Sequence, residues 1–169
     1  MPIPTIREFL DELDQEAPPT KRTLERVPVA KLAWKPHERS QSLGQLALHV
    51  ATIPAALSEL SMLPSFDVSF VVPRPEAKSM DELLGAHDAS VARAREIIGG
   101  MDDAALATPW RMLQGTRELI SMPRGQFLRS VLFNHWYHHR GQLTVYLRLS
   151  GALVPAIYGA SADEVPFQG

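Results

Sequence analysis

The chain has 169 residues, 45% of them apolar and 21% charged, with a formal net charge of −2. That is enough for one domain with its own core, and the near-balanced charge gives no electrostatic pull toward nucleic acid or an anionic membrane. Cysteine is absent, which excludes a disulfide framework and any thiolate supplied by the protein itself. The first ten residues contain Arg7 and Glu8 and no long apolar run, unlike a secretory leader. No stretch approaches the roughly 18 apolar residues that span a bilayer. The expectation is one soluble, cytoplasmic domain over residues 1–169.

In chain order, helical spacing first appears from Thr5 to Arg26, with Ile6, Phe9, Leu10, Leu13 and Leu24 on one stripe. Pro18 and Pro19 interrupt it and predict a break or kink near Ala17, because each removes an amide donor and disfavours helix at the preceding residue. Val27-Pro28 ends the unit, and a polar connector runs from Lys35 to Gln41. Ser42 then reads as an N-cap, with Gln45 three residues on as in a capping box. Leu46, His49, Ile53, Ala56, Leu57 and Leu60 follow at helical spacing, and Pro54 predicts a kink in this second helix.

Leu63 to Lys78 holds Pro64, Pro73 and Pro75 and reads as a long connection, with an extended piece at Val68 to Val72. A third helix starts after Ser79, where Asp81 and Glu82 complement the helix dipole. Its stripe includes Leu83, Leu84, His87, Val91, Ala94, Ile97 and Ile98, and Gly99-Gly100 stops it. Trp110 to Leu113 and Arg117 to Ile120 flank Gln114-Gly115 as a small hairpin or an irregular loop. The fourth helix is predicted from a Ser121 cap, with Pro123 in its first turn, to about Leu149. The tail from Ala152 to Gly169 has too much Gly and Pro for a regular element. Four long helices with little strand pattern give the expected class: all-α, an irregular four-helix bundle with long connections.

Three of the six histidines fall in Asn134-His135-Trp136-Tyr137-His138-His139. At about 100° per residue, His135 and His139 lie about 40° apart on a helix, one turn from each other. Leu128, Val131, Leu132, Gln142, Tyr146 and Leu149 share or adjoin that stripe, so the pair faces the bundle. A buried imidazole without partners costs roughly 1–3 kcal/mol. A shared cation resolves that cost by taking a lone pair from each neutral ring, and neighbouring polar groups would resolve it as well. His49 sits on the apolar stripe of the second helix and is the natural third ligand. Three imidazoles suit zinc, nickel or iron(II) and leave positions open for water or substrate.

The remaining histidines read more blandly. His138 lies about 60° from His135 and flanks the pocket or meets another helix, His37 is solvated, and His87 is a satisfied core or boundary residue. Gln142 and Tyr146 are candidate pocket-lining residues, with a hydrogen-bonded core amide and a packed aromatic as the plainer alternatives. Arg140 points to the opposite side of the helix, toward a carboxylate or a neighbouring loop. Gly141 costs about 1 kcal/mol relative to Ala in a helix, which a close backbone approach would explain. Asp11, Glu12, Asp14 and Glu16 read as surface carboxylates. There is no phosphate-binding glycine loop, no nucleophile elbow and no paired Glu-x-x-His of the di-iron bundles.

The run H-W-Y-H-H-R-G-Q-L-T-V-Y-L-R resembles the hallmark of the DinB-like (damage-inducible, YfiT-like) superfamily. L-E-R-V-P at Leu24 to Pro28, W-K-P-H at Trp34 to His37, S-L-G-Q-L-A-L-H at Ser42 to His49 and V-P-A-I-Y-G-A-S-A-D-E at Val154 to Glu164 fit the same family in the same order, so the resemblance covers nearly the whole chain. It implies a four-helix bundle, often a homodimer, with a divalent metal on three histidines that match His49, His135 and His139. It also implies, for members with known activity, low-molecular-weight thiols such as bacillithiol or mycothiol as cosubstrates of S-transferases or isomerases. The functional expectation is a metal-dependent, thiol-dependent S-transferase with zinc or nickel. The rival expectations are a non-catalytic bundle that binds a ligand or partner around a structural ion, a metal-dependent hydrolase using the same site, and a stress-linked regulator.

Overall fold

The computed structural model describes residues 3–69 and 74–165. Its elements are α1 (Ile6–Leu24), a single 3-10 turn (Val29–Lys31), α2 (Leu43–Met62), β1 (Ser65–Asp67), α3 (Met80–Gly99), α4 (Asp103–Ala107), β2 (Pro109–Gln114), β3 (Arg117–Pro123), α5 (Arg124–Phe127), a π-helical segment (Leu128–Phe133) and α6 (Asn134–Leu149). The last three run on as one rod. α2 lies at the centre and packs on α3, α6 and α1. The core between them includes Phe9, Leu13, Leu46, Ile53, Leu83 and Leu143, each essentially free of solvent. Each such side chain contributes roughly 1.5–3 kcal/mol by leaving water. Phe9 stacks on Phe133, with centroids 5.8 Å apart, and ties α1 to the last rod.

The helix starts follow the sequence. Thr5 and Ser42 both form complete capping boxes, with Glu8 and Gln45, and Ser79 Oγ accepts from the Glu82 amide. The expected break near Ala17 does not occur, since α1 continues through Pro18 and Pro19 to Leu24. The two prolines free the carbonyls of Asp14 and Gln15, and both residues are exposed, so water can serve them. Further along, Thr20 Oγ1 donates to Glu16 O at 2.7 Å and Thr23 Oγ1 donates to Pro19 O at 2.8 Å, reinforcing the turn that contains the prolines.

Pro54 is accommodated differently, because α2 is buried there. A proline at 54 leaves the carbonyl of Val50 without its helical donor. The indole Nε1–H of Trp136 donates to that carbonyl at 3.0 Å. The amide of Ala55 in turn donates to Ser90 Oγ at 2.9 Å. The irregularity in α2 is thus filled by one side chain from α6 and one from α3.

The all-α expectation needs correction, because a three-stranded sheet with order β1-β2-β3 closes one end of the bundle. β2 and β3 form the antiparallel hairpin, with Trp110 opposite Met122 and a register shift between Met112 and Leu113. The two-residue loop Gly115-Thr116 has Gly115 at φ +59°, the first-position glycine of a type II′ turn. β1 adds to β2 in parallel, pairing Phe66 with Met112. The extended piece therefore lies at Ser65–Asp67, just before the expected Val68 to Val72, and residues 70–73 are outside the described residues. Ser121 does not cap the last helix. It pairs with Arg111 inside the hairpin, and the helix begins only after Pro123.

The sheet is bolted to the end of α2. Trp110 Nε1 donates to Leu60 O at 3.2 Å and Arg124 Nε to Ser61 O at 2.7 Å, satisfying carbonyls in the last turn of α2. The tail from Ala152 to Val165 carries no regular element. No helix among the described residues is long and apolar enough to cross a membrane.

The Trp136–Val50 bond yields a prediction. Trp136→Phe leaves a buried carbonyl unpaired and should cost about 1–3 kcal/mol in urea unfolding. In a Pro54→Ala background the restored amide takes Val50 O, so the same substitution should cost less; equal costs in both backgrounds would refute the account.

Candidate metal centre

His49 comes from the second turn of α2, and His135 and His139 from the first half of α6. The structure brings all three together, with one ring nitrogen of each within 4.8 Å of the others. His49 Nε2 and His135 Nε2 are 3.1 Å apart. Two nitrogens bound to one ion at about 2.0–2.1 Å lie roughly 3.0–3.4 Å from each other, so this spacing fits ligands of a common cation. The rings meet edge to face: the His49–His139 centroids are 4.6 Å apart and the His135–His139 centroids 4.3 Å.

The π-helical segment sets the register. Its wide turn inserts about one residue into the helical repeat. After it, the fully buried stripe of α6 is Trp136, Arg140, Leu143 and Leu147. His135 and His139 stand at the margin of that stripe, half-buried and turned to a cavity. The sequence pattern, read as uniform α-helix, put the histidines at the centre of the inward face together with Leu149, which is in fact 60% exposed. Arg140, assigned to the outer side, is buried. It does meet a carboxylate, that of Glu16, at 2.6 Å, and it donates to Thr20 Oγ1 at 2.9 Å. Glu12 and Glu16 are consequently not surface carboxylates: Glu12 accepts from Tyr137 Oη at 2.6 Å and pairs with Arg129, joining α1 to α6.

Neither candidate lining residue reaches the cavity. Gln142 is exposed and approaches His139 from behind, its Oε1 2.7 Å from His139 Nδ1. An Nδ1–H donated to that oxygen leaves the Nε2 lone pair free for a cation, the arrangement in which an outer partner fixes the tautomer of a ligand. Tyr146 packs edge-on against Trp34, with centroids 5.9 Å apart, beyond the cavity. His138 is exposed beside His139, His37 is exposed in its connector, and His87 is buried against Trp136 with Nδ1 3.2 Å from Asp88. The His87 Nε2 lacks a partner among the described residues, so His87 is only half satisfied. Gly141 faces open space: a Cβ there would meet nothing within 4 Å, and the expected close approach is absent among the described residues.

The triad forms one wall of a cavity of about 550 Å³. Ile53, Ala56, Leu57 and Leu60 of α2, with Phe66 of β1, provide an apolar side, and Gln45, Thr52 and Arg74 add polar groups. Sequence reasoning missed Arg74 and Phe66, which come from the long connection and reach the site only through tertiary packing. Burial holds the imidazoles neutral. It lowers His49 to about 4, assisted by His139 and His135, and lowers His135 to about 4, assisted by His139 and His138. His139 is also lowered, mainly by burial, with its bond to Gln142 opposing the shift. Near neutral pH all three rings offer lone pairs, which is the state a divalent ion requires.

A model of the DinB family matches residues 1–166. The chain belongs to the DinB family. The uncharacterized protein YrdA of Bacillus subtilis (strain 168) is 31% identical over 169 residues, covering 95% of this chain and 92% of that protein. Among solved structures, a DinB-like protein from Bacillus cereus ATCC 10987 superposes with a TM-score of 0.71 at 25% identity, covering 93% of this chain and all of the other. A mycothiol-dependent maleylpyruvate isomerase shares the fold at a TM-score of 0.53 and 18% identity, with 91% of this chain matching 62% of that one. In this DinB-family chain the three clustered histidines could hold a metal ion.

Two outcomes are expected. Gln142→Ala should weaken zinc binding roughly 10–100-fold while leaving the fold intact, as read by competition with a chromogenic chelator. The second concerns acid. Histidines lowered to about 4 when folded but ordinary when unfolded let the unfolded chain bind more protons between about pH 6.5 and 4. The metal-free protein should therefore lose stability as pH falls through that window. A urea series should show the loss reduced in a His49→Gln, His135→Gln double variant.

Proposed function

We propose that the protein is a metal-dependent enzyme that joins a low-molecular-weight thiol to a small electrophile, with zinc or nickel held by His49, His135 and His139. The observation that carries this reading is the open cavity of about 550 Å³ against the triad. Structural sites are closed by four protein ligands, whereas catalytic ones keep a position for water or substrate. Among the described residues only three side chains form the cluster, which argues against an ion serving purely as a staple.

When bound, the ion supplies Lewis acidity, which lowers the pKa of a thiol placed upon it. The chain does the rest. His139 is oriented by Gln142, and the apolar face of α2 with Phe66 excludes water from the reacting groups. No carboxylate lines the cavity among the described residues, so the thiol proton leaves to solvent through the cavity mouth. The absence of cysteine fits a thiol delivered from outside. A shared fold with a mycothiol-dependent isomerase supports the same direction at the level of architecture. A hydrolase would use the same triad with water in place of the thiol, and only turnover separates the two.

The deciding experiment combines elemental analysis of tag-free protein with a screen of bacillithiol, mycothiol and glutathione against 1-chloro-2,4-dinitrobenzene. Stoichiometric metal and thiol-dependent turnover, at least about 100-fold lower in His135→Ala, are expected. Equal turnover by the two proteins would eliminate the ion as catalyst. Metal-dependent ester hydrolysis without thiol transfer would select the hydrolase.

A further inference from the structure

Arg74 stands in the cavity wall beside the triad, and neither metal binding nor thiol activation requires it. One contact ties its own backbone to the start of α2, and two more tie the residues that follow it. Gln45 Nε2 donates to Arg74 O at 3.2 Å, Ala77 N donates to Gly44 O at 3.4 Å, and Ser42 Oγ donates to the Glu76 carboxylate. Gly44 is required for this approach, because a Cβ there would lie 2.6 Å from Glu76 Cγ and 3.1 Å from Leu32 Cβ. The segment that presents Arg74 is therefore clamped to α2.

The guanidinium itself makes no hydrogen bond or ion pair with any described residue. Among the described residues that line the cavity it is the one with a fixed charge, and neither Asp nor Glu is among them. A divalent ion on the triad would add two more positive charges to a chamber without an anion of its own. The same cavity is lined by the apolar side chains of Ile53, Ala56, Leu57, Leu60 and Phe66. A guanidinium that faces a ligand space pairs best with a carboxylate or phosphate oxygen, while apolar walls take an apolar body.

We infer that the cavity accepts amphipathic anions, an acidic head group on an apolar body, and that Arg74 is the residue that selects for the acid. The inference rests on the reading of this cavity as the substrate site, and it names the class of electrophile or thiol that the enzyme takes. Arg74 acts in specificity, leaving the reacting atoms to the triad.

The test uses octanoate, octyl phosphate and octan-1-ol in calorimetric titrations of the full chain, metal-stripped and zinc-loaded, as wild type, Arg74→Gln and Arg74→Lys. Arg74 is an exposed side chain, so the variants should fold, and their urea midpoints verify it. Metal-stripped wild type should bind an octyl anion at least about 10-fold more tightly than octan-1-ol, with Arg74→Gln losing that margin and Arg74→Lys keeping part of it. Preference for octanoate or octyl phosphate identifies the head group. Equal affinities for anion and alcohol, or an unaltered Arg74→Gln, would overturn the inference. Anion binding that needs zinc and ignores Arg74 also overturns it, yet leaves the metal reading standing. Arg74-dependent binding by a protein that takes up no zinc sustains it and removes the metal instead.

Discussion

The hydrogen bond from Trp136 to the carbonyl of Val50 is the contact on which the site depends. Pro54 makes that carbonyl available by withholding an amide, and only a donor from outside α2 can fill it. Trp136 follows His135 directly, so an indole locked onto α2 fixes the azimuth of α6 against α2 at the point where the imidazoles must meet. The proline that breaks the internal pattern of one helix thereby specifies its docking on another. Ser90, bonded to the Ala55 amide, adds α3 to the same joint.

The parts of the fold that were legible in the sequence were those decided locally. Ser42 with Gln45 and Ser79 ahead of an acidic turn announce helix starts through caps that satisfy free amides within three residues. The hairpin was legible as an alternative, through glycine at its turn. What stayed hidden was decided by distant partners. Ser121 looks like a cap by itself, but a strand partner at Arg111 claims it. Pro18 and Pro19 look like a stop, but exposed carbonyls can be hydrated and the helix continues. No local pattern marks Ser65–Asp67 as a strand, because its pairing partner lies more than forty residues away in β2.

The site shows the same division. The one-turn spacing of His135 and His139 and the place of His49 on an apolar stripe put three imidazoles within reach of each other, and the structure has them together. The pattern failed at the π-helical segment, which nothing in Leu128–Phe133 advertises. That segment displaces the buried stripe by about one residue, so Arg140 turns inward to Glu16 while Leu149 and Gln142 turn outward. Gln142 remains tied to the site, as a partner behind His139 and not as a wall of the cavity.

Three half-buried imidazoles with ring nitrogens within 4.8 Å of one another form a local conflict that a sequence optimised for stability alone would remove. The surroundings make the conflict sustainable. α2 is held at its start by a capping box and the clamped Glu76, at its middle by Trp136 and Ser90, and at its end by Trp110 and Arg124. α6 is held to α1 by Arg140 with Glu16 and by Tyr137 with Glu12. With both helices fixed over their lengths, the imidazoles cannot relieve their repulsion by drifting apart. A shared cation relieves it, as does a ring N–H donated between His49 and His135 across their 3.1 Å, whereas burial makes an added proton costly. The frame thus keeps three neutral imidazoles in an arrangement that could hold a metal ion.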